Sequence, residues 1–243
     1  MRIVAIIQAR VGSTRLPGKV LMNILDKPVL WHVVQRTCQA KLVEEVVVAT
    51  TTNEADQAIV SLCQAQGWLY FRGSEGDVLD RYYQTAKQYH ADVIVRITSD
   101  CPLIDSEVID QVIKTFIEGQ PKLDYASNTL PPRTFPRGLD TEVFSLSALE
   151  RAWREDANPA TREHVTPYVY RHPEKFQLQG VTNNVDYSYM RWTVDTLEDL
   201  TFVRKIFEYF GGNRFSWRDV LQVLNEHPEW LEINRHVQQK VVP

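Results

Sequence analysis

Apolar and polar positions alternate along the chain in blocks whose lengths fit strands and helices by turns. Residues 3–7 are an unbroken apolar run, the mark of a strand covered on both faces. Pro28 opens a stretch in which Val29, Leu30, Val33, Val34 and Thr37 recur at helical spacing, which predicts a helix over 28–40. A second buried strand spans 45–50. The polar run Thr51, Thr52, Asn53 then caps a helix from 54 to about 66, stopped by Gly67. A short strand at 69–71 leads into a helix to about 90, capped by Asp77 or Ser74, and a fourth strand covers 92–97. Asp105 and Ser106 begin a helix over 107–118.

From Gly119 the pattern loosens. It predicts a strand at 123–127, a proline-dense loop at 129–138 and a helix over 147–154, opened by a capping box from Ser147 to Glu150. Asn158 begins another helix, and strands follow at 176–181 and 189–195, the second ending in Asp195. Thr196 and Asp199 cap a helix reaching Phe210, Ser216 and Asp219 cap a last one to about His227, and the tail from 229 is a partly packed extension. This rhythm predicts an α/β fold of three layers, α/β/α, with a mostly parallel, doubly wound sheet. The chain reads as one domain over 1–243 with an insert-like region at about 120–190. Ligands of such sheets sit beyond the carboxyl ends of the strands. That rule gathers the loop at 8–19, the turn at 50–53 and the turn after Phe71 around one crevice.

With 243 residues and 44% hydrophobic content, the chain can bury one sizeable core. The net charge of −4 lacks the basic surplus of a nucleic-acid binder, so that partner is excluded. Cys38, Cys63 and Cys101 are too few and too scattered for a disulfide framework or a CxxC zinc site. No run approaches the roughly 18 apolar residues of a membrane span, and Arg10 interrupts the apolar start too early for a leader. A soluble protein of the reducing cytoplasm, without membrane or nucleic-acid partners, is expected.

The chemistry concentrates in the first loop, Gln8-Ala9-Arg10-Val11-Gly12-Ser13-Thr14-Arg15-Leu16-Pro17-Gly18-Lys19. Two glycines let backbone N–H groups come close to an oxyanion, and three fixed cations stand within ten positions. Polyphosphate binding follows, but not by the better-known loops. Walker A needs four residues between its glycine and Gly-Lys, then Ser or Thr; here five separate Gly12 from Gly18, and Val20 follows Lys19. The G-x-G-x-x-G fingerprint is absent. A carboxylate at the end of the fourth strand, Asp100, followed by a proline turn, is where the metal of a bound nucleotide is expected.

These twelve loop residues resemble the signature loop of the cytidylyltransferases that make CMP-activated acidic sugars, in the branch tied to spore-coat polysaccharide biosynthesis and acylneuraminate activation. The resemblance implies that the loop wraps the triphosphate of CTP through Gln8, Ala9, Arg10, Gly12, Ser13, Thr14, Arg15 and Lys19, with backbone N–H groups from Gly12 to Thr14. The loop before the helix at 78–90 looks like the one that closes over the nucleotide, with Asp80 and Arg81 at recurring positions. Asp100 matches the divalent-ion position, although Ser99 stands where the family has glycine. The segment 191–195 resembles the second metal motif, Arg-x-Thr-Val-Asp, so that Asp100 and Asp195 would share Mg²⁺. Residues 137–144 resemble the sugar-side segment and contribute Arg137, Asp140 and Glu142. Arg162, Glu163 and His164 are candidates for the acceptor, whose carboxylate needs a cation: Arg137 or Arg162.

The function implied is transfer of CMP from CTP to a hydroxyl of an acidic sugar of nonulosonic type, releasing pyrophosphate, with Arg10, Lys19, Asp100 and Asp195 as the catalytic set and a homodimer as the assembly. Two other readings stand beside it: another transferase on the same scaffold, either a UTP- or GTP-dependent nucleotidyltransferase or a glycosyltransferase, and a non-catalytic nucleotide-binding partner in polysaccharide assembly. A glycosyltransferase has no use for the Arg15/Lys19 pair, and a non-catalytic partner should have lost Asp100 or Asp195. The residues themselves leave the base and the sugar open.

Overall fold

In a computed structural model, which describes residues 1–240, the chain opens with β1 (Ile3–Gln8), the apolar run, buried along its length. A small hairpin of β2 (Asn23–Ile24) and β3 (Lys27–Pro28) feeds helix α1 (Val29–Thr37). Strand and helix then alternate: β4 (Glu45–Thr51), α2 (Gln57–Gln66), β5 (Leu69–Gly73), α3 (Val78–Gln88) and β6 (Val93–Thr98). They are followed by α4 (Ser106–Glu118), β7 (Tyr125–Ser127), β8 (Glu142–Ser145), α5 (Leu146–Glu155), and the short helices α6 (Pro159–Arg162) and α7 (Pro167–Tyr170). β9 (Leu178–Gly180), α8 (Leu197–Phe210) and α9 (Trp217–Glu226) complete the order.

Seven strands form one sheet in the order β5-β4-β1-β6-β8-β7-β9. β5, β4, β1 and β6 are parallel; β8 runs antiparallel to both β6 and β7, and β9 pairs parallel with β7. The expected mostly parallel α/β/α fold is therefore present. Because side chains alternate across a strand, β1 sends Ile3, Ala5 and Ile7 to one face, where α1, α2, α4, α8 and α9 cover them. Val4 and Ile6 go to the other face, under α3 and α5. Among the described residues no helix is long and apolar enough to cross a membrane.

The capping chemistry sets several boundaries. Thr196 with Asp199, and Ser216 with Asp219, form reciprocal capping boxes at α8 and α9. Asp105 accepts from the Glu107 and Val108 N–H groups at α4, and Gly67 closes α2 in the left-handed conformation. At α5 the cap is Ser145 and not Ser147: β8 runs straight into the helix, so Ser145 Oγ accepts from Ala148 N at 3.1 Å while Ser147 points at Ser145 Oγ.

A larger departure is the predicted strand over 189–195. Its alternation is strand-like, with Met190, Trp192 and Val194 buried as apolar residues, but β6 is already paired on both sides, by β1 and β8. Neither side of β6 is left open to it. The segment is held instead by an isolated parallel bridge between Arg137 and Arg191, made by Arg137 N to Met190 O and Trp192 N to Arg137 O, and by Val194 N to Asp100 O, so Asp195 sits on a loop beyond the end of β6. The tail packs as foreseen up to Lys240, with Pro228–Glu232 as a 3₁₀ turn and Asn234 buried; residues 241–243 lie outside the described residues.

Candidate active site

β1 carries Gln8 to the mouth of a cleft of about 570 Å³, and the chain then doubles back. Ser13 N and Gly18 N both donate to Val11 O, at 2.8 and 3.0 Å, and Val11 N is anchored on Asp56 Oδ1 at 2.6 Å. Gly18 has φ +73°, which glycine adopts without strain, and the turn it makes directs Lys19 inward. The N–H groups of Gly12, Thr14 and Arg15 donate to no protein acceptor among the described residues. That of Ser13, expected to face phosphate, is used within the loop.

Lys19 is the hub. Its Nζ donates to Asp100 Oδ2, Asp195 Oδ1 and Val194 O, each at 2.8 Å. Burial works against the ammonium, but the two carboxylates outweigh it and raise its pKa. Burial likewise opposes the Asp100 carboxylate; Lys19, with Thr98 and Cys101, overcomes this and holds Asp100 at about 2. Thr98 Oγ1, at the end of β6, fixes Asp100 Oδ1 at 2.6 Å.

Asp195 is gripped by further cations, with Arg15 at 2.8 Å and Arg191 at 2.7 Å on Oδ2. Arg191 is itself fixed. Its Nε donates to Asp199 Oδ1 at 2.9 Å, its Nη2 also reaches Asp199 Oδ2, and its Nη1 donates to Gln239 Oε1. Asp199 is fully buried and accepts from Asp195 N and Thr196 N, so the residue that caps α8 also orients Asp195. Asn234, from the tail, donates to both Arg191 O and Asp199 Oδ1 at 2.9 Å.

Most residues singled out from the sequence meet in the cleft wall: Gln8, Ala9, Arg10, Gly12, Ser13, Thr14, Arg15, Lys19, Arg81, Ser99, Asp100, Arg137, Asp140, His164 and Asp195. Arg10 crosses the mouth to Glu163 at 3.2 Å, and Arg81 is almost wholly buried, donating to Ser74 O. Burial and the nearby Arg96 lower the pKa of His164, so its ring is neutral at physiological pH.

Glu142 and Arg162 do not reach the wall. Glu142 is buried against Arg96, Tyr125 and Thr166, and Arg162 is spent on Asp77, with two bonds at 2.8 and 2.9 Å, and on the carbonyls of Trp153 and Asp156. Both side chains are engaged in ion pairs within the protein, Glu142 with Arg96 and Arg162 with Asp77. Conversely, Arg96, Gln239 and Lys240 line the cleft although sequence reasoning passed them over. Arg96 had a signal, a lone charge in the apolar run 93–97; the tail residues had none.

A divalent ion fits the donor set. Two carboxylate oxygens, from Asp100 and Asp195, already converge on one cationic point, the Lys19 ammonium, and Mg²⁺ takes one or two carboxylates together with substrate oxygens. Among the described residues no group of three or more His, Cys, Asp or Glu converges in this way, so the remaining ligands would have to come from substrate and water.

The cytidylyltransferase family model matches residues 4–214. A cytidylyltransferase structure from Leptospira borgpetersenii serovar Hardjo-bovis superposes with a TM-score of 0.92 at 37% identity over 99% of both chains. The spore coat polysaccharide biosynthesis protein SpsF of Bacillus subtilis is 32% identical over 235 residues, 93% of this chain and 95% of that one. The 3-deoxy-manno-octulosonate cytidylyltransferase of Trichlorobacter lovleyi is 40% identical over 124 residues, about half of each chain, 51% and 48%. The loop from Gln8 to Lys19 and the two converging carboxylates thus lie on a scaffold shared along nearly its whole length, and the chain belongs to the cytidylyltransferase family.

Proposed function

We propose that this protein transfers CMP from CTP to a hydroxyl of an acidic sugar, releasing pyrophosphate, in the synthesis of a surface polysaccharide or glycoconjugate. The observation that carries the reading is the set of three uncommitted backbone N–H groups, at Gly12, Thr14 and Arg15, beside Arg10, Arg15 and Lys19 at the end of β1. Such a cradle suits the β- and γ-phosphates of a triphosphate and neutralises the leaving pyrophosphate. Asp100 and Asp195 are the residues that would hold Mg²⁺, which when bound supplies charge neutralisation at the α-phosphate. The chain's own part is positioning: Arg191 and Asp199 orient Asp195, Thr98 orients Asp100, and the loop aligns the triphosphate for in-line attack.

For the acceptor, Arg137 supports an acidic sugar. It lines the cleft, and its guanidinium has no hydrogen-bond acceptor or ion-pair partner among the described residues. Arg162 is already committed to Asp77. The names of relatives such as the 3-deoxy-manno-octulosonate cytidylyltransferases point to the same substrate class.

Two results are expected. CTP, with Mg²⁺, should raise the melting temperature more than UTP, GTP or ATP; at a hundred times its dissociation constant a ligand adds about 2.7 kcal/mol. Equal shifts for all four would remove the base assignment, and no shift would remove the nucleotide site. Arg137→Ala should raise KM for the acidic sugar roughly 10- to 100-fold, the loss of a charge-assisted contact, with KM for CTP nearly unchanged. A rise in KM for CTP alone would move Arg137 to the nucleotide side.

A further inference from the structure

The cations suited to holding phosphate and the carboxylates suited to holding metal are partners of one another. All three protons of the Lys19 ammonium are committed, two of them to Asp100 and Asp195. Both oxygens of Asp195 are cation-bound, Oδ1 by Lys19 and Oδ2 by Arg15 and Arg191. The cluster therefore contains three cations, Lys19, Arg15 and Arg191, against three carboxylates, Asp100, Asp195 and Asp199. It is neutral as it stands.

Adding a divalent ion to this cluster would leave an uncompensated double charge among side chains that are mostly out of solvent. Lys19 and Asp195 are each 11% exposed. Charge imbalance at such depth is costly. A triphosphate alters the balance, because it offers Lys19 and Arg15 oxyanions in exchange for the carboxylates.

The three cations are not equally free to exchange. Arg191 is tied by Asp199, Gln239 and Asp195 together. Arg15 makes a single ion pair, with Asp195, and its side chain is 27% exposed. Lys19 sits on a flexible four-carbon stem and can turn its head without moving the backbone.

We propose that Lys19 and Arg15 form an interlock between nucleotide and metal: they neutralise Asp100 and Asp195 until a triphosphate draws them away, so the nucleotide binds ahead of the metal and each tightens the other. Arg191 stays in place and keeps Asp195 aimed. The proposal rests on reading Asp100 and Asp195 as the metal-binding pair. By linkage, the factor by which triphosphate strengthens metal binding equals the factor by which metal strengthens triphosphate binding.

The test uses Mn²⁺ as the probe, with free Mn²⁺ counted by electron paramagnetic resonance on the full-length protein. The parent protein, Lys19→Met and Arg15→Met are titrated first without nucleotide, and then with CTP after subtracting the chelation by CTP alone. The parent should bind Mn²⁺ poorly without CTP and well with it. Each variant, by removing one competing cation, should bind Mn²⁺ without CTP about tenfold or more tightly than the parent. Two variants are used so that a folding failure in one leaves the other to decide, and circular dichroism checks both. If the parent gains Mn²⁺ affinity with CTP but neither variant gains any without it, the interlock is overturned and the metal pair stands. If no form binds Mn²⁺ beyond the chelation by CTP, the metal-pair reading falls and the interlock with it.

Discussion

Asp195→Asn is expected to lower the rate of pyrophosphate release by about 10²–10³-fold or more, the range seen when one preorganised electrostatic group is removed from an active site. The substitution keeps the shape of the side chain and removes its charge. Lys19, Arg15 and Arg191 then face a neutral amide, and whichever way the amide turns, its NH₂ group opposes at least one donor. The cation surplus should also cost stability, by about 1–3 kcal/mol, less than for an enclosed pair because Arg15 can turn to solvent. Far-UV circular dichroism should show an intact fold with a lowered melting temperature, and CTP should still stabilise the variant, since two phosphate-directed cations have lost a competitor. Turnover equal to that of the parent would take Asp195 out of the active site altogether.

Gly138→Ala should be the most damaging single-methyl change in the chain. Gly138 has φ +109°, and a Cβ there would stand 2.6 Å from the carbonyl carbon of Trp192 and 2.8 Å from Thr193 N. These are backbone atoms and cannot rotate away. Trp192 is fully buried, and its N–H donates to Arg137 O, so neither side of the contact can yield alone. Steric overlap added to a backbone conformation unfavourable for alanine should cost about 2–4 kcal/mol. For a chain of this size that corresponds to a melting temperature lower by roughly 5–15 °C. Gly12→Ala is the internal control. Its Cβ would meet only Glu75 Oε1, at 3.9 Å, so its stability should stay within about 0.5 kcal/mol of the parent. Equal melting temperatures for Gly138→Ala and the parent would show that the 137–138 turn opens freely from the 192–193 backbone.

Much of this architecture was legible in the sequence because the informative features are local. The run 3–7, the loop to Lys19 and the caps at Asp105, Thr196 and Ser216 each declare themselves within a few residues. So does a carboxylate just past the end of a strand, which is how Asp100 could be placed. The sequence says least where the deciding partner is remote. Residues 189–195 alternate like a strand, and the pairing of β6 on both edges, which denies them a place beside it, is set by remote segments. Arg162 looked available because Asp77, its partner, lies 85 positions earlier. Glu142 looked like a sugar ligand because nothing nearby in sequence shows that Arg96 and Tyr125 enclose it. Gln239 and Lys240 carry no periodicity or motif and join the cleft through tertiary packing alone.

The place of β1 in the sheet has a consequence for how the chain is made. Of the seven strands of the sheet it is made first and lies in the interior of the sheet, bonded to β4 from Val4 opposite Glu45 and to β6 from Ile3 opposite Val93. An apolar strand with two open edges must therefore wait some ninety residues before its second neighbour exists. Pairings of such sequence separation close slowly, and exposed apolar edges invite association with other chains in the interval. The order of translation thus leaves an interior strand of the finished sheet unprotected for a long interval, and solubility during expression should respond more to substitutions in residues 3–7 than to equally buried ones in α8 or α9.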